Sequence, residues 1–390
     1  MSQPAPLATA TAAIARSGIR ELADAATHVP NAIRLDVGQP DFATPQHIVD
    51  AAKQALDEGW TSYTQTQGLS SLRELIVAKI AGVNGYRVEP DRVACGPGGV
   101  SAIAAAFGAV LEPGDEVLLP DPAWPNYELM AAWTGSRAVR YPCRPELDFL
   151  PDVEGVRKLM TPRTRLLVIN SPNNPTGAVY PPEVVRALAE LAERHNIWLL
   201  SDECYDELVH DGVCVSPAAL VGDSRVISAY SFSKTYAMTG WRLGYVTGAH
   251  RLVESVVKVL ESQSSCAPSI SQKAAEAALT GPQDCVRTMR AAYRRRRDRV
   301  VARLREARLL ISVPRGAFYI MADVSPSRLS SRDFAFRLLR ERGVSVAPGS
   351  AFGQVAARSV RISLASSEED LAEGVDRLCR LVSELAHRER

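Results

Sequence analysis

Between residues 93 and 248, short apolar runs alternate with helix-like stretches, and this alternation constrains the fold more than any other property of the chain. The runs fall at 117–119, 165–169, 197–200, 226–230 and 243–246. A strand buried on one face alternates apolar and polar residues, whereas a nearly unbroken apolar run is buried on both. Such strands, separated by helices, assemble into a mostly parallel sheet with helices on both faces, an α/β architecture. Ligands of open sheets of this kind bind just beyond the carboxyl ends of the strands. The residues that follow each run therefore become the candidates for function.

Three strand ends carry complementary groups. The run at 226–230 opens into Ser231-Phe232-Ser233-Lys234, and Arg242 follows eight residues after the lysine. A lysine at the end of a buried strand is desolvated, and a neighbouring cation adds to the effect; both favour the neutral, nucleophilic amine. The serines and the arginine supply donors and charge suited to a phosphate. A cofactor with both an aldehyde and a phosphate would use all four side chains, which points to pyridoxal 5'-phosphate. In isolation, Lys234 also fits a surface turn. The run at 165–169 ends in Asn170-Ser171-Pro172-Asn173-Asn174-Pro175-Thr176-Gly177, a density of Pro and Asn that forces an ordered turn. The run at 197–200 ends in Ser201-Asp202-Glu203-Cys204-Tyr205. A buried carboxylate such as Asp202 can keep a pyridine nitrogen protonated, while a phenol and an amide bond the ring hydroxyl. Asn174 as a turn residue, Asp202 as a helix cap and Tyr205 as a packed aromatic are the structural alternatives.

These motifs, in this order and spacing, resemble the class I/II aminotransferases of the fold-type I pyridoxal-phosphate enzymes, closest to the bacterial aspartate, aromatic and alanine aminotransferase branch. The likeness runs from Leu35-Asp36-Val37-Gly38-Gln39-Pro40-Asp41-Phe42 to Ser359-Val360-Arg361-Ile362-Ser363. It implies that Lys234 forms the internal aldimine, that Asp202 pairs with the pyridine nitrogen, and that Asn174 and Tyr205 bond the ring hydroxyl. It assigns the phosphate to Ser231, Ser233 and Arg242. It extends the phosphate site to Gly99, Val100 and Ser101, in the loop Cys95-Gly96-Pro97-Gly98-Gly99-Val100-Ser101 that opens an apolar helix, where backbone amides favour an anion. Trp124 matches the aromatic that stacks on the cofactor ring, and Tyr63 matches a tyrosine that reaches the neighbouring subunit's phosphate, which implies a homodimer with active sites at the subunit interface. Arg361 and Gly38 match the positions that hold the substrate's α-carboxylate, a guanidinium fork and a backbone left open by the lack of a side chain. The implied fold is a large domain with a mostly parallel seven-stranded sheet flanked by helices, plus a smaller α+β domain. The expected divisions are 1–45 (N-terminal arm and part of the small domain), 46–280 (large cofactor-binding domain) and 281–390 (small domain).

One departure bears on substrate. Acidic-substrate members of the branch often carry a lysine where this chain has Val100, and burying a second carboxylate against an aliphatic side chain is costly. Neutral or aromatic amino acids therefore rank above aspartate as donors, with Gln39 and the Tyr127 region as further candidates for the side-chain pocket. The expected reaction is transamination to a 2-oxo acid by a ping-pong mechanism. Elimination, racemisation, decarboxylation or oxidation on the same cofactor are the alternatives, because the motifs near the lysine serve all of them.

Composition narrows the rest. The net charge of +1 predicts no attraction to nucleic acid or membrane, and the basic run at 294–299 reads as a solvated helix face. Seven cysteines without paired spacing predict neither a disulfide framework nor a metal site. With no secretory leader and no apolar stretch of transmembrane length, a cytoplasmic location is expected. The alanine-rich residues 1–20 read as an arm packed on a partner subunit.

Overall fold

The computed structural model describes residues 18–387. All but the last few residues of the expected N-terminal arm lie outside that range. Among the described residues the strands, in chain order, are β1 (Ile33–Arg34), β2 (Val93–Gly96), β3 (Glu116–Asp121), β4 (Arg137–Pro142), β5 (Thr164–Asn170), β6 (Trp198–Asp202), β7 (Val226–Ser231), β8 (Gly244–Thr247), β9 (Tyr319–Asp323), β10 (Val344–Ser345), β11 (Ala347–Pro348) and β12 (Ser359–Ser363).

Seven of these form one sheet in the order β2-β8-β7-β6-β5-β3-β4. Only β8 runs against its neighbours; β7, β6, β5, β3 and β4 are parallel. The apolar runs are explained by burial on both faces. Leu118, Leu167, Ile169 and Leu199 pack to one side with Ile48, Leu72 and Leu188. Their neighbours Val117, Leu119, Leu166, Val168 and Leu200 pack to the other with Ala102, Phe107 and Val256. The period of two is thus present, but with apolar residues on both sides.

Each of the five apolar runs is a strand of this sheet; β2 completes one edge and β4 the other. Its sequence, Arg137-Ala138-Val139-Arg140-Tyr141-Pro142, lies at the sheet edge with Arg137 exposed, so it lacks the apolar signature of the interior strands. After β8 the chain forms three helices, His250–Ser264, Ser269–Thr280 and Asp284–Glu306, separated at Pro268 and at Gly281-Pro282.

A smaller sheet, β11-β12-β9, packs with the helices Ser331–Arg342 and Glu368–His387 around Phe318, Ile320, Phe334, Val360 and Ile362. The N-terminal segment joins this core. Residues of β1 pair in parallel with β10, and Leu35 donates to Ser345 O while its own carbonyl accepts from Ser363 N, both at 2.8 Å. Gly38, three residues on, is thereby carried to the edge of the large sheet.

Candidate active site

At the carboxyl edge of β5, β6 and β7 the register sets Asn170 opposite Asp202, and Asp202 opposite Ala229, two residues before Ser231. Side chains distant in sequence are thus placed side by side.

The turn after β5 is built by its own amides. Asn170 Oδ1 accepts from Asn174 N at 2.8 Å, Asn170 Nδ2 donates to Asp202 O at 2.9 Å, and Asn173 Oδ1 accepts from Thr176 Oγ1 at 2.8 Å. Gly177 closes the turn at φ +70°, where a Cβ would fall 2.4 Å from Pro314. Only glycine combines that backbone angle with that approach. After β7, Ser231 Oγ accepts from Ser233 N at 3.2 Å and caps the short helix Phe232–Thr235, which carries Lys234.

A cavity of about 500 Å³ opens here. Its wall includes Gly38, Gly99, Val100, Trp124, Asn174, Asp202, Tyr205, Ser231, Ser233, Lys234, Arg242 and Arg361. Two expected residues are not part of it. Ser101 is the third residue of the helix Gly99–Val110; its hydroxyl donates to Pro97 O and its amide to Gly98 O, both at 3.1 Å, so both of its donors are turned back on the loop. Tyr63 is 87% exposed, away from the cavity of its own chain. The expected side-chain pocket is found in part, because the Tyr127 region reaches the cavity through Pro125 and Asn126. Gln39 is exposed outside the cavity, and Tyr127 is fully buried behind Trp124, ring edge to face with centroids 5.3 Å apart.

Lys234 Nζ donates to Gly38 O at 2.6 Å, so the lysine reaches across to the segment held by the small sheet. Burial pushes its pKa from 10.5 down to about 8; the Arg361 and Arg242 cations push the same way, against Cys204 and Asp202. Asp202 is 3% exposed. Burial raises its pKa, while hydrogen bonds from Cys204 and Tyr127 oppose the rise. Tyr127 Oη donates to Oδ2 and the Cys204 amide to Oδ1 at 3.1 Å. The carboxylate is thus oriented from behind.

Opposite, Arg361 is 3% exposed. Its Nη1 donates to Asn174 Oδ1 at 3.0 Å and its Nη2 to Asp36 O at 2.6 Å, while Nε has no partner. At the far end of the cavity the helix Gly99–Val110 begins without a side-chain cap. Gly98 precedes it at φ +84°, and a Cβ there would fall 2.2 Å from Arg242 Nη2. The glycine lets the guanidinium lie over free helix-start amides, a combination that suits a phosphate.

Sequence reasoning missed several wall residues. Cys204 stands inside the Asp202 motif and could have been read from it. Tyr319 and Arg34 carry no local signal, and Asp36 stands inside the Leu35–Phe42 motif without a role of its own; Arg34 forks onto Asp36 at 2.8 and 2.9 Å. A wider groove of about 620 Å³ among Glu58, Glu74, Glu276 and Lys273 holds no comparable set, because its lysine is already paired with Glu276.

Chemically, the cavity offers a nucleophilic amine, a buried acid, an unfilled guanidinium donor and an anion cradle. The described residues contain no group of His, Cys, Asp and Glu that could hold a metal, and no helix long and apolar enough to cross a membrane.

A family described as aminotransferase class I and II matches residues 30–378. The chain is 42% identical over 354 residues to an aspartate/prephenate aminotransferase of Thermus thermophilus, covering 90% of this chain and 91% of that protein. It is 39% identical over 373 residues to aromatic-amino-acid aminotransferase 2 of Thermococcus litoralis, covering 94% and 96%. The solved structure of the T. thermophilus aspartate aminotransferase with maleate superposes with a TM-score of 0.93 at 38% identity, covering 97% of this chain and 100% of that one.

Proposed function

The chain belongs to the class I and II aminotransferases, which depend on pyridoxal phosphate, and from that premise we propose that it transfers the amino group of a neutral or aromatic amino acid to a 2-oxo acid in a ping-pong cycle anchored on Lys234. The observation that carries the reading is the Lys234 amine, pushed down to about 8 by burial inside a cavity that also holds Asp202 and Arg361.

The donor set suits the cofactor. The amides of Gly99 and Val100 at the uncapped helix start, with Ser231, Ser233 and Arg242, would hold the phosphate, while the Ser101 amide is held by Gly98 O; Asn174 and Tyr205 would hold the ring hydroxyl, and Trp124 would cover one ring face. When bound, pyridoxal phosphate supplies an aldehyde that condenses with amines and a ring that accepts the electron pair left at Cα. The Asp202 carboxylate would keep the proton on the ring nitrogen, and Tyr127, donating to Oδ2, fixes the direction in which that carboxylate points. Arg361 grips the α-carboxylate of the substrate with Nε and the remaining Nη protons, beside the backbone at Gly38. Lys234 Nζ, within the same cavity, would serve as the base that takes the proton from the substrate's Cα and as the acid that returns it.

The preference for an uncharged side chain rests on Val100, which shares the wall with Ile19 and Val37. The same reading divides the chain at 1–45, 46–280 and 281–390, pairs two copies so that Tyr63 of each serves the other's phosphate, and places the enzyme in the cytoplasm, where seven free cysteines stay reduced. The test is to mix the cofactor-loaded protein with a panel of amino acids, following the visible band and oxo-acid release. Neutral or aromatic donors should convert the band fastest. Aspartate or glutamate as the outstanding donor overturns the Val100 argument, while ammonia release or oxygen uptake without aminated cofactor overturns transamination.

A further inference from the structure

Tyr319 has none of the roles assigned above, yet it touches the residues that hold three of them. In the β9–β12 register Arg361 lies opposite Met321 and Ser363 opposite Tyr319, so Tyr319 and Arg361 are diagonal neighbours on one face of the small sheet. The guanidinium sits over the tyrosine ring, with Cζ 4.3 Å from the centroid. The Tyr319 hydroxyl shares a 2.9 Å hydrogen bond with the Tyr205 hydroxyl, and a Cβ on Gly38 would lie 2.6 Å from it. The residue borders the cavity while being only 1% exposed.

We propose that Tyr319 is a positioning residue with two separable actions: its ring sets the plane of the Arg361 fork for the substrate carboxylate, and its hydroxyl sets the direction of the Tyr205 proton. The inference rests on the roles proposed for Arg361 and Tyr205. A phenol has one proton to give. If Tyr205 gives its proton to the cofactor's ring oxygen, Tyr319 must donate in the shared bond, and this donation strengthens Tyr205 as a donor. The ring acts independently of the proton. Arg361 is held at Nη1 and Nη2 by acceptors at its edge, and the nearer ring, Tyr319, with Phe352 at 5.0 Å from Cζ, fixes the remaining freedom, the tilt of the plane.

The two actions separate in two variants of the cofactor-loaded enzyme. Tyr319→Phe keeps the ring and loses the hydroxyl; Tyr319→Leu loses both. The readouts are the Kd of the α-methyl analogue of the best amino donor, which binds without turnover, and the pH at which the visible cofactor band titrates. In Tyr319→Phe the Kd should stay within about twofold, and the band midpoint should rise by about half a pH unit, because a weaker donor at the ring oxygen favours the protonated chromophore. In Tyr319→Leu the same midpoint rise should come with a Kd about tenfold weaker, and KM should rise more than kcat falls. Equal loss of affinity in both variants, or none in Tyr319→Leu, overturns the ring's role. An unmoved midpoint in Tyr319→Phe overturns the hydroxyl's. Should Tyr319→Leu not fold, Tyr319→Phe placed in a Tyr205→Phe background still decides the second action: the midpoint rise should vanish there, and an undiminished rise overturns it. A wild-type protein that never forms the visible band would instead defeat the assignment of Lys234, an outcome distinct from all of these.

Discussion

Arg361 Nη1 donates to Asn174 Oδ1 across 3.0 Å, joining a strand of the small sheet to the proline-rich turn of the large one. The family resemblance places Arg361 at the substrate's carboxylate and Asn174 at the cofactor's ring hydroxyl and beside the substrate, and their contact makes one the support of the other. Arg361→Lys replaces a planar fork with a point charge that cannot bond Asn174, Asp36 O and a carboxylate together. Its KM for the amino donor should rise by about a hundredfold in steady-state assays, the equivalent of roughly 2–3 kcal/mol. A KM within threefold of wild type would remove Arg361 from the carboxylate site.

Cofactor capture should follow the ionisation of Lys234. Only the neutral amine attacks an aldehyde, so with a pKa of about 8 the capture rate of cofactor-free protein should climb about tenfold per pH unit below that value and level off above it. The Arg242 cation holds the pKa down, so Arg242→Gln should move the midpoint upward. Stopped-flow absorbance at fixed ionic strength measures both, and a midpoint near the ordinary lysine value in the wild type would contradict the argument.

Tyr127 is fully buried and donates to Asp202 Oδ2. Tyr127→Phe should leave the fold intact but raise the carboxyl's pKa further, since that bond opposes the rise caused by burial. The cofactor should then bind about three- to tenfold more weakly in equilibrium dialysis. Unchanged affinity would mean that the carboxylate needs no orienting bond.

His210 Nε2 donates to Ala317 O at 2.7 Å, near the start of the strand that carries Tyr319. Burial pushes its pKa from 6.5 down to about 4, so the unfolded chain binds the proton more readily than the folded one. The neutral ring's contribution to stability is complete above about pH 6.5 and is lost as the pH falls from there towards 4. Urea unfolding should show the wild type losing on the order of 2–3 kcal/mol relative to His210→Gln across that window. Parallel pH profiles for the two proteins would show that His210 is not the group involved.

The interior strands were legible because both of their faces are buried; Leu166 to Ile169 announce themselves as an unbroken apolar run. Edge strand β4 was not, because Arg137 and Arg140 interrupt the pattern where one side of the strand meets solvent. In the cavity, Lys234, Asp202 and Asn174 were readable since each ends a strand in a motif of its own. Tyr319 was not, because its partner Tyr205 lies 114 residues away and the contact exists only once the small sheet has docked on the large one. Ser101 shows the opposite failure: its motif placed the residue correctly at the helix start, but its hydroxyl turns back to Pro97 O.

Every proposed role in the cavity depends on covalent capture of the cofactor by Lys234. The most direct measurement is borohydride reduction of the pyridoxal-phosphate-loaded protein, followed by peptide mass spectrometry, with Lys234→Ala as the control. The predicted result is a reduced cofactor adduct on the peptide containing Lys234, absent from the control. An adduct on another lysine, or none in a protein that still turns over, would contradict it.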